Sequence, residues 1–423
     1  MAVSLAFHII FAVVGMGMPA LMAISEGLYL RTGNPVYLDL SKRWARGTAI
    51  LFAVGAVSGT VLSFELGLLW PTFMEHAGPL IGLPFSLEGF AFFTEAIFLG
   101  VYLYGWDRVP PFLHWVSGVI VAASGIFSGI FVVMANAWMN APVGFELING
   151  KMTHIDPIRA MLSPAAFHQT LHMTLAAYVA TGFLVAGIHA FFLLRDRQNM
   201  FHRKAFGIAL LIGSIAIPLQ LISGDISARM VGKLQPAKLA AMEAHYHTGS
   251  RAPLVVGGWP DDEKMETRFG LEIPSGLSLL IGHSPDTVVA GLDQIPRENW
   301  PNVRLVHWSF DIMVGCGMAM MLMAIWAGWI RWRTGALPDY VWFLRGMVVA
   351  APLGFIAIET GWMVTELGRQ PWIIYGVMKT RDAVTPMPGL GVTFAVFTAI
   401  YLVLSVVLVF LLRRQFVQTR EDH

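Results

Sequence analysis

Charge is what this 423-residue chain has least of. Only 13% of its residues are Asp, Glu, Lys or Arg, while 56% are apolar; a soluble globular protein carries roughly a quarter charged residues. A deficit of that size excludes a disordered chain, a nucleic-acid binder working through a basic surface, and most soluble enzymes. Cysteine is nearly absent as well. The single Cys316 excludes a disulfide framework, a CxxC redox pair, a Cys-ligated iron–sulfur cluster and c-type haem attachment. Any metal or cofactor must therefore be held by His, Met or carboxylates. The formal net charge of +1, from 28 basic and 27 acidic residues, says nothing about partners by itself.

Long apolar runs are what the chain has instead. About 20 apolar residues cross a bilayer core of about 30 Å. Windows of that length predict an all-α polytopic membrane protein with about nine transmembrane helices, near 4–29, 47–70, 86–105, 112–138, 170–194, 206–224, 306–330, 343–366 and 390–412. None alternates as a membrane barrel strand does. The first has neither the basic leading region nor the short apolar core of a signal peptide. The chain thus divides into helices one to six (1–224), a proline-rich polar insertion (225–305), and helices seven to nine with a tail (306–423). So long an insertion in a compact chain points to a function. Within it, Pro236–His247 reads as a short helix opened by proline.

Basic residues are unevenly shared between the two sides. Arg31, Lys42, Arg43, Arg46, Arg108, Arg195, Arg197, Arg203, Lys204, Arg331, Arg333, Arg345, Arg413, Arg414 and Arg420 gather in one set of connections. The opposite short connections hold only Lys151, Arg159, Arg369, Lys379 and Arg381. Because Lys and Arg favour the cytoplasmic side, the expectation is an external N-terminus, an external 225–305 loop and a cytoplasmic C-terminus.

Ionisable side chains near the bilayer centre cost roughly 2.5–3.5 kcal/mol on insertion scales, so they usually face a cavity or a cofactor. With this orientation His8, His172, Met313 and Glu359 all fall in the outer half of the membrane, as do Glu65, Glu88 and Glu95. His/Met ligation is one way to hold a low-spin electron-transfer haem. Spacing alone does not decide it. A lone intramembrane histidine is about as often a helix-packing hydrogen bonder, and nothing sets Met313 apart from the other methionines among 23. His168-Gln169-Thr170-Leu171-His172 has the outline of the zincin helix HExxH. Gln169 cannot accept a proton as that motif's Glu does, which disfavours a metalloprotease. A haem–copper oxidase is disfavoured too, since no adjacent His pair is present to hold its metals.

Several stretches together resemble subunit I of the cytochrome bd-type quinol oxidases. They include Phe7-His8-Ile9-Ile10-Phe11, Glu88-Gly89 with Phe92-Phe93-Thr94-Glu95, Gly105-Trp106-Asp107-Arg108 and Ala135-Asn136-Ala137-Trp138-Met139. Further along come His172 with Ala176-Ala177-Tyr178, Lys238-Leu239-Ala240-Ala241-Met242-Glu243, Ile312-Met313-Val314, Glu359-Thr360-Gly361-Trp362 and Gly368-Arg369-Gln370-Pro371-Trp372. The insertion is of the short kind, and Ser63-Phe64-Glu65-Leu66-Gly67 is similar to the cyanide-insensitive branch.

The resemblance implies nine helices with a long outside loop between the sixth and seventh. It implies a low-spin haem b on His172 and Met313, and two high-spin haems on His8 and Glu359: a second haem b and either haem d or a further haem b. It implies quinol binding at Lys238 and Glu243. Glu88 and Glu95 stand seven apart on one helix face and, with Ser128, would form a proton relay. Partners would be a second membrane subunit and a small single-span subunit, with quinol and oxygen as substrates, in the bacterial cytoplasmic membrane. Asp311 departs from the pattern, standing where well-known members carry a basic residue facing a haem propionate; an acid there should lower the low-spin potential. Two other classes compete with an oxidase. A haem-bearing electron carrier or redox sensor needs no open high-spin site, so His8 and Glu359 count against it. A proton-coupled transporter does not call for the GRQPW stretch.

Overall fold

The computed structural model describes residues 1–421, with side chains described through Gln415; the Arg420 side chain of the basic tail lies outside the described residues. The first four helices are α1 (Ala2–Thr32), α2 (Pro35–Leu69), α3 (Pro71–Tyr104) and α4 (Pro111–Asn140). A hairpin, β1 (Glu146–Ile148) and β2 (Lys151–Thr153), and a short turn of helix, α5 (Pro157–Met161), lead to α6 (Ala166–Leu193) and α7 (Met200–Leu234). The polar insertion holds α8 (Pro236–Met242), β3 (Leu254–Val256), β4 (Trp259–Asp261), β5 (Glu266–Arg268), β6 (Leu271–Ile273) and α9 (Gly276–Gly282). Then come α10 (Val303–Thr334), α11 (Val341–Ala350), α12 (Leu353–Leu367), β7 (Trp372–Ile374), β8 (Met378–Lys379), α13 (Thr380–Ala383) and α14 (Leu390–Glu421). Among the described residues nine helices are long and apolar enough to cross a membrane, α11 and α12 together counting as the eighth. The expected count of spans is borne out.

Local chemistry explains where these helices begin and end. Pro35, Pro71 and Pro111 each open a helix at a position whose N–H needs no partner. The side chains of Asn34, Asn199 and Asn302 accept from N–H groups of the first turns of α2, α7 and α10. The eighth span breaks at Ala351-Pro352, because Pro352 cannot donate into the ladder.

Several helices outrun the apolar windows. The segment 35–46 stays helical although charged, with Arg43 donating to Asp39 one turn back at 2.8 Å and Leu40 fully buried. Helix α3 starts at Pro71 rather than near 86, because Phe73, Ala77, Leu80 and Ile81 pack with Trp138 and Ile374 in a satellite core. Helix α7 continues past 224 to Leu234, and α8 stops at Met242 rather than 247, where Ala244 takes a left-handed φ of 46°.

Helix α6 packs along α7, α3 along α4, α1 along α2 and α10 along α12. Gly182 of α6 meets Gly213 of α7. A Cβ on Gly182 would lie 2.7 Å from the Gly213 nitrogen, so the approach depends on small residues. Met22, Leu40, Tyr102, Phe183, Phe206, Phe343 and Met347 form the main core. A buried polar pair, His114 Nδ1 and Glu26 Oε1 at 2.7 Å, ties α4 to α1, and His114 Nε2 donates to the Tyr102 carbonyl of α3.

Because the spans alternate in direction, the α4–α6, α7–α10 and α12–α14 connections share one end of the bundle, opposite the basic connections. They touch there: Tyr375 N–H donates to the Met139 carbonyl, and the Gln235 amide donates to that of Asn140. The insertion is small antiparallel sheet, with β3 paired to β6 (Leu254 opposite Ile273) and β4 to β5 (Trp259 opposite Arg268).

Candidate functional site

A cavity of about 640 Å³ opens where α6, α7, α10 and α12 meet beneath α8 and β3. Its walls carry His172, Met313, Lys238 and Glu243 together, residues far apart in the chain. Helix α6 supplies His172, which lies 3.1 Å from the Gln220 amide while its Nδ1 is buried with no hydrogen-bond partner among the described residues. Glycines leave room beside both candidate ligands. A Cβ on Gly224 would come within 3.5 Å of the His172 ring, and one on Gly361 within 3.0 Å of the Met313 sulfur.

These residues fit a haem. Among the described residues no three His, Cys, Asp or Glu side chains gather as a bare metal site would need. A porphyrin supplies four of the iron's ligands itself and asks the protein only for axial ones, such as one imidazole and one thioether. An unpartnered imidazole nitrogen, a thioether and an otherwise largely apolar wall meet that demand.

Lys238 and Glu243 are both buried. Lys238 Nζ donates to Asn140 Oδ1 at 2.6 Å. Asn140 donates to Asn136, Asn136 to Glu366, and Arg369 to the other oxygen of Glu366. Burial, with the Arg369 guanidinium adding to it, pushes the Lys238 ammonium down to about 7 against the pull of Glu366. Burial pushes the Glu243 carboxyl up to about 8, and the Asp311 carboxylate adds to the rise. Glu243 Oε1 has no hydrogen-bond partner among the described residues. At neutral pH this corner holds one amine and one acid, each close to exchanging its proton.

His307, fully buried on α10, fastens the insertion over the cavity. Its Nδ1 lies 2.7 Å from the Met242 carbonyl, adjoining Glu243, and its Nε2 2.9 Å from the Gly257 carbonyl. Asp311, one turn on, accepts the Gly257 N–H at 2.6 Å. Gly257 has φ +67°, a turn that favours glycine. Asp311 therefore lines the cavity with its charge partly engaged by the loop, a partner its place in the sequence did not suggest.

His8 and Glu359 are not in this lining. His8 Nδ1 lies 2.9 Å from the Ser58 hydroxyl, and Glu359 Oε1 is buried with no partner among the described residues. Each adjoins a residue of one apolar cluster, Ile9 and Ile358, that joins α1 to α6 and α12. Met173, Ala176, Ile358 and Trp362 of that cluster also wall the cavity. On α3, Glu88 accepts from Ser128 of α4 at 3.2 Å. Glu95, two turns along, is 5% exposed with its carboxylate against Gly15 and Gly125. Glu65 accepts from Ser4 at 2.7 Å.

Comparison with known proteins identifies the family. The family described as cytochrome bd terminal oxidase subunit I matches residues 1–420. The chain belongs to that family. It is 38% identical over 415 residues to the putative cytochrome bd menaquinol oxidase subunit I of Bacillus subtilis, covering 97% of this chain and 93% of the relative. It is 29% identical to the cytochrome bd-II ubiquinol oxidase subunit 1 of Escherichia coli, covering 90% and 88%. The solved bd oxidase from Geobacillus thermodenitrificans matches at TM-score 0.92 and 39% identity, over 99% of this chain and 96% of that one.

As a cytochrome bd oxidase subunit I, the chain is a multi-pass subunit of a haem-bearing, oxygen-reducing quinol oxidase. The name also implies a second subunit. Sequence reasoning missed the two-sided grip of His307, which reads as one more polar residue at the start of a span. It missed the Asn136–Asn140–Glu366–Arg369 network too. The one available signal was Arg369, a basic residue in a chain with few of them.

Proposed function

We propose that this chain is the core haem-bearing subunit of a quinol:oxygen oxidoreductase in the bacterial cytoplasmic membrane, oxidising quinol at the outer face and reducing oxygen with cytoplasmic protons. The observation that carries the reading is the shared cavity. His172 and Met313 would hold a low-spin haem b there, and Lys238 and Glu243 stand in the same walls. His8 and Glu359 would hold the two high-spin groups, one a haem b and the other a haem d or a further haem b. When bound, these groups supply the electron transfer and the oxygen chemistry.

The protein's own part is proton handling and positioning. The amine of Lys238 and the carboxylate of Glu243 are the acceptors for protons leaving quinol, with values near 7 and 8 that suit release at neutral pH. Asn140 fixes the Lys238 nitrogen, and His307 fixes the backbone beside Glu243. Glu88, Glu95 and Ser128 would carry protons inward between α3 and α4. The skew of Lys and Arg supports an external N-terminus and 225–305 loop and a cytoplasmic C-terminus. A small single-span subunit would complete the assembly beside the second membrane subunit.

A reduced-minus-oxidised spectrum of the assembled complex, taken with and without carbon monoxide, tests this. A low-spin b signal together with a carbon-monoxide-sensitive one is expected. A low-spin signal alone contradicts the assignment of His8 and Glu359 to an open site.

A further inference from the structure

His168, dismissed in the sequence as half of a false zincin motif, stands one helical turn before His172 and lines the same cavity. It is 4% exposed. Its Nδ1 lies 3.3 Å from the Ser227 hydroxyl of α7, while its Nε2 is buried with no partner among the described residues. Glu243 Oε1, in the same wall, is buried and unpartnered too. A buried polar atom without a partner bears the full desolvation penalty of the group. Among the described residues four such atoms line this cavity. His172 Nδ1 and Oε1 of Gln220, whose amide meets His172, belong with the haem ligand. The remaining two, on His168 and Glu243, are matched by a ligand that brings two polar groups of its own.

A quinol is such a ligand, with oxygens at opposite ends of an apolar ring. Lys238 and Glu243 serve one of them on the reading given above, leaving the other without a named contact. We propose that His168 is that second contact, hydrogen-bonding the far oxygen of quinol through Nε2; this rests on the cavity being the quinol site. Ser227 makes the contact suit both redox forms. When its hydroxyl donates to Nδ1, the imidazole hydrogen sits on Nε2 and is offered to a quinone carbonyl. When the hydroxyl turns to accept from Nδ1, Nε2 is free to accept from a quinol O–H. His168 thus binds the substrate without any net transfer of its own.

The test uses the assembled oxidase carrying His168→Leu, His168→Gln, Ser227→Ala or Glu243→Gln, and reads KM and kcat for quinol alongside the low-spin haem spectrum and midpoint potential. His168→Leu should raise KM about tenfold, the scale of one lost hydrogen bond, and leave spectrum and midpoint unchanged. Gln, which keeps a polar atom there, should recover most of the loss. Should the leucine variant fail to assemble, Ser227→Ala must still raise KM severalfold. An unchanged KM in the His168 variants, with Glu243→Gln impaired, overturns the role of His168 alone. An unchanged KM in all four variants overturns the quinol site itself. A shifted midpoint with KM unchanged would make His168 a haem neighbour and also overturn the proposal.

Discussion

Replacing His307 with phenylalanine should loosen the 235–302 segment from the bundle. The side chain is fully buried, and its two nitrogens meet the carbonyls of Met242 and Gly257 at 2.7 and 2.9 Å. A phenyl ring fills similar volume but leaves both carbonyls buried without a donor. Each such orphan costs about 1–3 kcal/mol, so the seated segment should lose about 2–6 kcal/mol relative to a locally opened one. At 1.4 kcal/mol per factor of ten, opening becomes roughly 30- to 20,000-fold more frequent. Hydrogen exchange measures this directly. Amides of α8 and of the Gly257 turn should lose that much protection, while those of α6 and α7 keep theirs. His307→Gln, which retains one donor, should lose about half as much in free energy. The grip assigned to His307 is refuted if α8 and the Gly257 turn exchange as in the unaltered protein.

Three other outcomes follow from the same geometry. An acceptor works deprotonated, so with Lys238 near 7 and Glu243 near 8 quinol-driven oxygen uptake should rise from pH 6 to pH 8. Glu243→Gln should remove the upper part of that rise and Lys238→Met the lower, and a flat profile in the unaltered enzyme would refute the assignment. Gly361→Ala places a methyl 3.0 Å from the Met313 sulfur and should weaken or shift the low-spin absorbance; Gly328→Ala, with open space around it, should not. Glu95→Gln keeps the side-chain volume between Gly15 and Gly125 and should slow oxygen reduction at least tenfold with all haem signals retained; loss of those signals would make Glu95 structural.

Hydropathy made the nine spans legible because each buries its backbone hydrogen bonds within itself and needs apolar length to cross the bilayer. It misjudged their ends for a related reason. Charged residues such as Asp39 and Arg43 continue a helix by pairing one turn apart after the apolar window has closed. The first half of α3 fell outside the apolar window, yet it is helical through Pro79 and Pro84, held by Phe73, Ala77, Leu80 and Ile81 packed with Trp138. In the site, residue types and resemblance singled out His172, Met313, Lys238 and Glu243. Their meeting in one cavity depends on how α6, α8 and α10 cross, which no spacing in the chain encodes. The same holds for His168 and His307, whose meaning lies in one unpartnered nitrogen and in two carbonyls from a loop more than forty residues away.

Whether the low-spin ligands and the quinol acceptors share one chamber is decided most directly by a cryo-EM map of the assembled oxidase with a bound quinone analogue. The map should show a haem between His172 and Met313, and the analogue in the same chamber within hydrogen-bonding distance of Glu243 or Lys238. A haem held by other residues, or an analogue seated away from this chamber, would contradict it.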